Sequence, residues 1–470
     1  MHEIITLSAS QRANHLTTQF FNCQEELLYT VGEKPNEPSI FLNPTIDRIS
    51  KTVAYSPRAI LWDARTGNGS LATYQYAPDT HDYHYQDTDA PTPVSSTNIM
   101  TTHPRIPQSE YQKALDKNEP LPRLNKENTK YWSDYSKLIY SPKSFRGLKN
   151  WYHDIKNPNL PDFHNLQQRQ FTDFAMGFDE FKSFCMDDFI DEQLRIQLEN
   201  CDTIQGFNLV TDLDSGWGGF SSKLLEELRD ELPKVDVFTW GFNDNDYYSG
   251  AKGDVKNKIR STVYLGRESN LFFPLWSENN ALSNWEIGGK CCKIFDTINS
   301  LFSQKSPEQI KKMSFLEDCL MLDDKARKFV TNMIETDNSN DYSFYSRVTP
   351  FGKNAKLNRC HEFSICQLSR SSNPSTSGKE KSHLKNKQEL YTYPYYPSDT
   401  IPDVYKEEVE FMINLKLTEH CRDVFNHWSD YVSRRFRFDE DREELKDELS
   451  TMAAAYEIGW YDDEDSGDDQ

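Results

Sequence analysis

The distribution of hydrophobic and polar residues predicts strand and helix in alternation near the start of the chain. Residues 3–8 form a short apolar run, and residues 10–29 repeat their large apolar side chains at helical spacing. Ala59 to Trp62 form a second apolar run, which ends at an aspartate and a glycine-containing turn. The pattern therefore predicts a buried strand, a helix and a second buried strand.

Residues 203–240 show the clearest alternation. An apolar run from Ile204 to Leu213 precedes a glycine-rich turn at 215–219. Leucines then recur at helical spacing until Pro233, and another apolar run ends at Trp240. Strand, glycine turn, helix and strand make a βαβ unit, which requires parallel strands. We therefore predict an α/β fold with a parallel sheet.

Three other regions show helical spacing, and one long region does not. Residues 164–200 are predicted to form two helices with a buried aromatic stripe. The stripe consists of Phe171, Phe174, Phe178, Phe181 and Phe184. Residues 290–333 and the highly charged residues 403–457 are also predicted to be helical. Residues 76–128 are rich in Pro, Asp, Thr and Tyr without an apolar period, which predicts a long loop.

The chain length and the interruptions of the hydrophobic pattern predict several domains. A chain of 470 residues is too long for one hydrophobic core. We predict an N-terminal segment over 1–115 and a domain over 120–310 that contains the glycine turn. A second, smaller α/β domain with C-terminal helices follows over 311–457, and its polar 369–388 stretch is predicted to be a mobile loop. Residues 458–470 are predicted to be a disordered acidic tail.

The charge balance excludes several classes of partner. Lys and Arg total 53 and Asp and Glu total 74, so the net charge is −21. Such a chain repels phosphate backbones and gains nothing from an anionic membrane, so direct nucleic-acid binding is not expected. No apolar run approaches the roughly 20 residues that span a bilayer. The nine cysteines lack a second zinc half-site and are interpreted as reduced, buried thiols, so no metal site is predicted.

The glycine turn at 215–219 lies where α/β proteins bind phosphate. Glycine lets the backbone approach a ligand, and the helix N-terminus offers free N–H groups. The motif Ser-Gly-Trp-Gly-Gly matches neither the P-loop nor the dinucleotide fingerprint, and a tight packing turn would look the same. Residues 200–207, however, resemble the tubulin stretch that leads into its phosphate loop. Residues 1–15 resemble the first strand and first nucleotide loop of tubulin, in register.

These two matches, in the right order, imply a tubulin/FtsZ-like fold. Such a fold has a parallel Rossmann-type sheet flanked by helices, a second smaller α/β domain and C-terminal helices. In the first nucleotide loop, Gln11 and Asn14 match the tubulin motif. In the second loop, Gly216 and Gly218 match and Gly219 stands in place of a serine. These five residues are the candidate nucleotide-binding residues, and we expect them to be vestigial.

Substitutions in both loops predict that the site no longer hydrolyses GTP. The substituted positions are Ser10, Ala13 and His15 in the first loop and Asp214, Ser215, Trp217 and Phe220 in the second. Asp214 would repel phosphate oxygens, at a cost of roughly several kcal/mol. Trp217 and Phe220 would crowd a loop built for glycine. No Asn-x-Asp catalytic loop or Gly-Asn-Asn γ-phosphate loop is found, so we predict no enzyme activity and no resident cofactor, with weak GTP or GDP binding left open.

The whole chain resembles the Misato family, and its length suits the fungal branch. The most specific segments are SASQRANHLTTQFFN at 8–22, Ile60 to Asp63 with the following glycines, 131–135, 141–144 and 200–220. The family is described as tubulin-like, with a role in partitioning mitochondria and inheriting mitochondrial DNA. The resemblance implies a mitochondrial location. The N-terminus resembles no Arg-rich presequence, so we expect action from the cytosolic face and a presence in the cytoplasm.

Three functions remain open at this point. The first is a non-catalytic tubulin-like protein that positions mitochondria through protein contacts, with outer-surface, cytoskeletal or chaperonin proteins as partners. The second is a GTP-binding, filament-forming tubulin-like GTPase. The third is an adaptor for chaperonin-assisted protein assembly. The acidic tail suits the first and third functions and is equally explained by solubility.

Overall fold

The computed structural model describes most of the chain. The described residues are 2–30, 34–46, 51–71, 75–76, 100–101, 105–141, 143–148, 150–154, 162–164, 169–244, 252–277, 282–306, 310–322, 324–335, 341–343, 361–371 and 386–458. Residues 459–470 of the predicted tail, residues 372–385 of the predicted mobile loop and residues 77–99 of the predicted long loop lie outside them.

The described residues form strands and helices in alternation along much of the chain. The strands are β1 (Glu3–Ala9), β2 (Leu42–Ile46), β3 (Val53–Pro57), β4 (Ala59–Asp63), β5 (Gln75–Tyr76), β6 (Met100–Thr101), β7 (Phe145–Gly147), β8 (Trp151–Tyr152), β9 (Phe163–His164), β10 (Ile204–Asp212), β11 (Asp236–Asp244), β12 (Leu271–Ser277), β13 (Asn332–Glu335), β14 (Asp341–Ser343), β15 (Glu362–Arg370), β16 (Lys387–Thr392) and β17 (Met412–Thr418). The α-helices are α1 (Gln11–Leu28), α2 (Glu110–Lys117), α3 (Phe174–Glu180), α4 (Arg195–Glu199), α5 (Gly216–Glu231), α6 (Lys252–Glu268), α7 (Asn284–Ser300), α8 (Met313–Met321), α9 (His420–Arg435) and α10 (Arg442–Ala454).

A six-stranded sheet forms the first layer of the fold. Its strand order is β12-β11-β10-β1-β4-β7, and every neighbouring pair is parallel. All residues of β1 and β4 are buried, as is usual for a parallel sheet covered on both faces. Helix α1 packs against α7, and α5 packs against α6 and α3. The predicted parallel α/β sheet flanked by helices is confirmed.

A second sheet and two C-terminal helices complete the fold. The sheet has the order β14-β13-β17-β15-β16, with β17 antiparallel to both of its neighbours. Helices α9 and α10 pack against each other, and α8 packs against β15 and β17. The predicted second α/β domain with C-terminal helices is confirmed. Across the described part of the chain, no helix is long and apolar enough to cross a membrane.

Three predicted element types were wrong in part. The region 403–457 contains strand β17 before its helices, because its polar side chains alternate with buried ones. The predicted helix over 290–333 ends with α8, and β13 follows. The predicted loop over 76–128 contains helix α2. This short helix buries only two side chains, too few to show an apolar period.

The phenylalanine stripe is buried in its first part and exposed at its end. Phe171 and Phe181 are fully buried, whereas Phe184 is 49% exposed. Residues 181–185 and 188–194 are π-helical, and they join α3 to α4. The wider π-turn shifts which side chains face inward, so Cys185 is buried in place of Phe184. The stripe prediction was therefore wrong at Phe184.

Candidate functional site

The strand order places a potential ligand crevice at the carboxyl ends of β1 and β10. The chain runs from β1 to β4 on one side and returns to β1 on the other side as β10, so the direction of strand order reverses between them. In open α/β sheets, ligands bind outside the carboxyl ends of the strands at such a reversal. The two predicted nucleotide loops follow these two strands, and the fold therefore brings them together.

In the first loop, Ser10 stands in place of a glycine of the tubulin motif but has a backbone conformation typical of glycine. Ser10 has φ 132° and ψ 161°, a region that is essentially reserved for glycine. Its hydroxyl oxygen accepts a hydrogen bond from the backbone N–H of Ala13 at 3.1 Å and so caps α1. Ser10 therefore has a backbone conformation that suits glycine, and its side chain serves to start a helix.

Ser10→Gly is expected to raise the free energy of unfolding by about 1 kcal/mol. It would relieve roughly 1–3 kcal/mol of backbone strain, and a glycine cap costs only a few tenths relative to serine. Ser10→Ala is the matched control, because it keeps the strain and removes the cap, and it should lose about 1 kcal/mol. Urea unfolding of the three proteins measures both changes. Equal midpoints for the glycine and alanine variants would contradict the strained conformation.

The side chains of Gln11 and Asn14 are engaged within the chain. The Asn14 amide donates to the Trp62 carbonyl at 2.9 Å and to Asp63 Oδ2 at 3.0 Å. The Gln11 amide donates to the Lys130 carbonyl at 3.2 Å. Both side chains are buried. The donor groups that the tubulin motif would offer to a nucleotide thus bind neighbouring parts of this chain.

An internal ion pair stands at the end of β10. The Arg12 guanidinium lies 2.9 Å from Asp212 and 3.3 Å from Asp214, and all three side chains are at most 14% exposed. One positive charge therefore faces two negative charges where a phosphate would have to enter. Asp214 is predicted to repel phosphate, and its pairing with Arg12 was not predicted, because Arg12 occupies a variable position of the motif.

The second loop uses its N–H groups internally. The Gly216 N–H donates to the Phe171 carbonyl at 3.0 Å, and the Trp217 N–H donates to Ser215 Oγ at 3.4 Å. The Gly218 N–H donates to the Ser215 carbonyl at 3.2 Å. In a phosphate-binding loop, the first N–H groups of the helix point at the ligand. Here these three groups of α5 already have acceptors.

Helix α3 lies directly on the glycines of α5. A Cβ atom added to Gly177 would stand 1.6 Å from the Gly216 carbonyl oxygen, and one on Gly219 would stand 1.9 Å from the Phe174 carbonyl oxygen. A Cβ on Gly218 would lie 2.0 Å from Ser261 Oγ on α6. The glycines of the turn therefore allow helices to approach closely, which is the packing alternative left open by the sequence.

The two bulky residues of the second loop belong to the core. Phe220 is fully buried, and its ring contacts those of Trp62 and Phe181. Trp217 is 3% exposed, and its indole N–H donates to Asp162 Oδ2 at 2.9 Å. Both side chains thus pack into the core beside the loop, and Phe171 and Gly177 contact the start of α5.

A buried cluster of titratable groups adjoins the two loops. Burial and, to a smaller extent, the charge of Asp162 raise the pKa of Asp63 to about 7. Burial alone would lower the pKa of His153. The 2.9 Å hydrogen bond to Asp162 and the negative charge of Asp162 outweigh burial and raise the pKa of His153 above its ordinary value.

Within the described residues, no group of three or more His, Cys, Asp or Glu side chains could hold a metal ion.

Replacing His15 is expected to change how stability depends on pH. Burial lowers the pKa of His15 to about 3, and Nδ1 lies 2.7 Å from the Tyr135 hydroxyl. The unfolded chain takes up a proton near pH 6.5 and the folded chain only near pH 3, so stability falls as pH decreases between these values. Between pH 7 and 5, the wild type should lose about 2 kcal/mol more than His15→Gln.

The measurement is denaturant unfolding of both proteins at pH 7, 6 and 5. Glutamine is the residue at this position in the tubulin motif, and it can still bond to the Tyr135 hydroxyl. Parallel stability curves for the two proteins over this range would contradict a neutral, buried His15.

The sequence did not identify the segment that covers the loop. Phe171 and Gly177 touch α5, and Asp162 holds Trp217, yet none of the three matches a nucleotide motif. Gly177 could have indicated this contact from the sequence, because a glycine inside a helical pattern often marks a position where another helix packs closely.

Comparison with known proteins identifies similar chains. Residues 2–117 match the Misato Segment II tubulin-like domain, and residues 121–301 match the Tubulin domain. Protein DML1 of Kluyveromyces lactis is 45% identical over 99% of both chains, and Protein DML1 of Eremothecium gossypii is 41% identical over 100% of both. Protein DML1 of Candida albicans is 27% identical over 99% of this chain and 100% of the relative. The resemblance to Misato and tubulin, including its fungal branch, is confirmed, and the exact domain boundaries stay predictions.

Proposed function

Because this chain belongs to the DML1 (Misato-like) family of tubulin-related proteins, we propose that it acts as a non-catalytic tubulin-like scaffold in the partitioning of mitochondria and the inheritance of mitochondrial DNA. The observation that carries the non-catalytic part is the contact between α3 and the start of α5. The backbone of Gly177 lies against the carbonyl of Gly216, the first residue of the helix whose N–H groups a phosphate would need.

Charge and hydrogen bonding support the same proposal. The first N–H groups of α5 have internal acceptors, and Arg12 is paired with Asp212 and Asp214. A nucleotide bound there would have to release these bonds and face two carboxylates. Each step costs free energy, so the site is proposed to hold no resident GTP or GDP and to perform no hydrolysis.

The mitochondrial part rests on the family resemblance. We propose that the protein acts at the cytosolic face of mitochondria and is also present in the cytoplasm. A net charge of −21 disfavours direct contact with DNA, so its effect on mitochondrial DNA would be transmitted by protein partners. Outer-surface, cytoskeletal and chaperonin proteins are the proposed partner classes.

Depletion of the protein in a fungal cell tests this role. The chromosomal gene is placed under a repressible promoter, and a wild-type copy serves as the rescue control. We expect loss of mitochondrial DNA from daughter cells and uneven partitioning of mitochondria. Protease treatment of intact isolated mitochondria should degrade the bound protein without rupture of the outer membrane.

Other outcomes favour the other two functions. Normal inheritance of mitochondrial DNA after full depletion would contradict the proposal. If, in addition, affinity purification yielded mainly chaperonin subunits, the adaptor function would be favoured. Filaments that assemble only with GTP would favour the GTPase function.

A further inference from the structure

A basic and aromatic surface stands at the end of α9. It consists of Arg434, Arg435, Arg437 and Phe438, which are all exposed, and is called the arginine surface below. The Arg434 side chain is 78% exposed, and Phe438 is 97% exposed. In a chain with a net charge of −21, three exposed arginines within four residues concentrate positive charge, and one of them, Arg434, also lies 3.8 Å from Asp430. The fold itself gains no burial from this phenylalanine.

The backbone of the arginine surface is held in place by buried and ion-paired neighbours. Phe436 is fully buried, with Lys256 and Arg260 placed 4.6 and 5.0 Å from its ring centre. Asp439 pairs with Lys256 at 2.6 Å, and Asp441 pairs with Arg260 at 2.7 Å. The exposed phenylalanine therefore lies between two anchored points, and it would lose little chain entropy when it binds a partner.

The C-terminal residues have the complementary composition. Residues 459–470 contain six acidic residues and no lysine or arginine. Trp460 and Tyr461 come first, and the acidic residues follow. Aromatic side chains can pack on an exposed phenylalanine, and carboxylates pair with guanidinium groups. Residues 459–470 and the arginine surface are therefore complementary in both aromatic and ionic contacts.

The C-terminal residues are also long enough to reach the arginine surface. Tyr456 is fully buried and hydrogen-bonded to Phe329, so the chain is anchored just before Ile458. Helix α10 lies between this anchor and the arginine surface, and its 13 residues span about 20 Å. Twelve extended residues span up to about 40 Å, which is enough to return along α10.

We propose that residues 459–470 bind the arginine surface of their own chain, with Trp460 or Tyr461 on Phe438 and the following carboxylates on the arginines. An anionic membrane is a poorer occupant, because the whole chain is strongly negative. Attachment to the same chain gives the segment an effective concentration in the millimolar range, so weak contacts suffice. The arginine surface would then be covered until an acidic partner competes for it. This inference does not depend on the proposed mitochondrial function.

Nuclear magnetic resonance of the full-length, ¹⁵N-labelled protein tests the proposal. The probes are the amide signals of Gly459 and Gly467 and the indole signal of Trp460, in low salt. Wild type is compared with Arg435→Glu/Arg437→Glu and with Phe438→Ala. A matched control, Lys117→Glu/Lys126→Glu, makes the same charge change at exposed lysines elsewhere. Thermal unfolding verifies that each variant is folded.

We expect the three signals to be weak and shifted in the wild type and in the control. They should become at least threefold more intense in Arg435→Glu/Arg437→Glu and in high salt, and Phe438→Ala should affect mainly the Trp460 signal. Sharp signals at random-coil positions in all four proteins would overturn the proposal. An effect that disappears on tenfold dilution would also overturn it, because the contact would then join two molecules.

Discussion

Arg370→Met is expected to destabilise the protein by about 3–5 kcal/mol. Arg370 is fully buried in β15 and binds Asp296 of α7, which is 3% exposed. Its Nε also donates to Thr297 Oγ1 at 3.1 Å. Burial raises the pKa of Asp296, and the charge of Arg370 opposes that effect. Without the guanidinium, the buried carboxylate of Asp296 would keep, among the described residues, only the amide of Gln24, 2.8 Å away, as a side-chain partner.

The magnitude is tested by a double variant and an exposed control. Arg370→Met/Asp296→Leu removes both charges and should recover most of the loss, since an apolar pair can replace a buried ion pair at little cost. Arg195→Met removes an arginine that is 69% exposed, and it should cost less than about 0.5 kcal/mol. Midpoints of guanidinium chloride unfolding give the three values. A single variant as stable as the Arg195 control would contradict a buried link between α7 and the second sheet.

Gly177→Ala is expected to destabilise the protein by about 2 kcal/mol. The new Cβ would lie 1.6 Å from the Gly216 carbonyl, and neither helix backbone can yield without losing other contacts. Overpacking costs roughly 1–3 kcal/mol or more, and alanine recovers only about 1 kcal/mol through helix propensity. Gly219→Ala meets the Phe174 carbonyl at 1.9 Å and should behave in the same way.

An exposed position on the same helix provides the control. Ala175 of α3 is exposed, so Ala175→Ser should change stability by less than about 0.5 kcal/mol. Unfolding midpoints of the variants are compared with that of the wild type. If Gly177→Ala were as stable as Ala175→Ser, α3 would not be fixed on α5 in solution.

The parallel sheet was predictable because continuous apolar runs report buried strands directly. Ile204 to Leu213 and the glycine turn after it contain both the strand and its connection to α5, and the structure forms them at these residues. Strand β17 was not predictable, because its lysine and asparagine alternate with buried residues inside a charged region that resembles a helix.

The positions of the two loops were predictable from the sequence, but the contacts that other segments make with these loops were not. Local motifs locate Gln11, Asn14 and the glycines, because each loop is a short continuous segment. The pairing of Arg12 with Asp212 joins residues 200 positions apart, and no local pattern reports it. The contact of Gly177 in α3 with Gly216 in α5 also joins residues that are far apart in the sequence.

Titration of the purified, full-length protein with GTP and GDP in the presence of Mg²⁺ tests most directly the proposal that the nucleotide site is closed. Calorimetry measures binding, phosphate release measures hydrolysis, and tubulin serves as the positive control. The internal contacts of Gly216, Arg12 and Gly177 predict a Kd weaker than about 1 mM and no turnover. Saturable binding with a Kd of about 1 μM, accompanied by hydrolysis, would contradict the closed site.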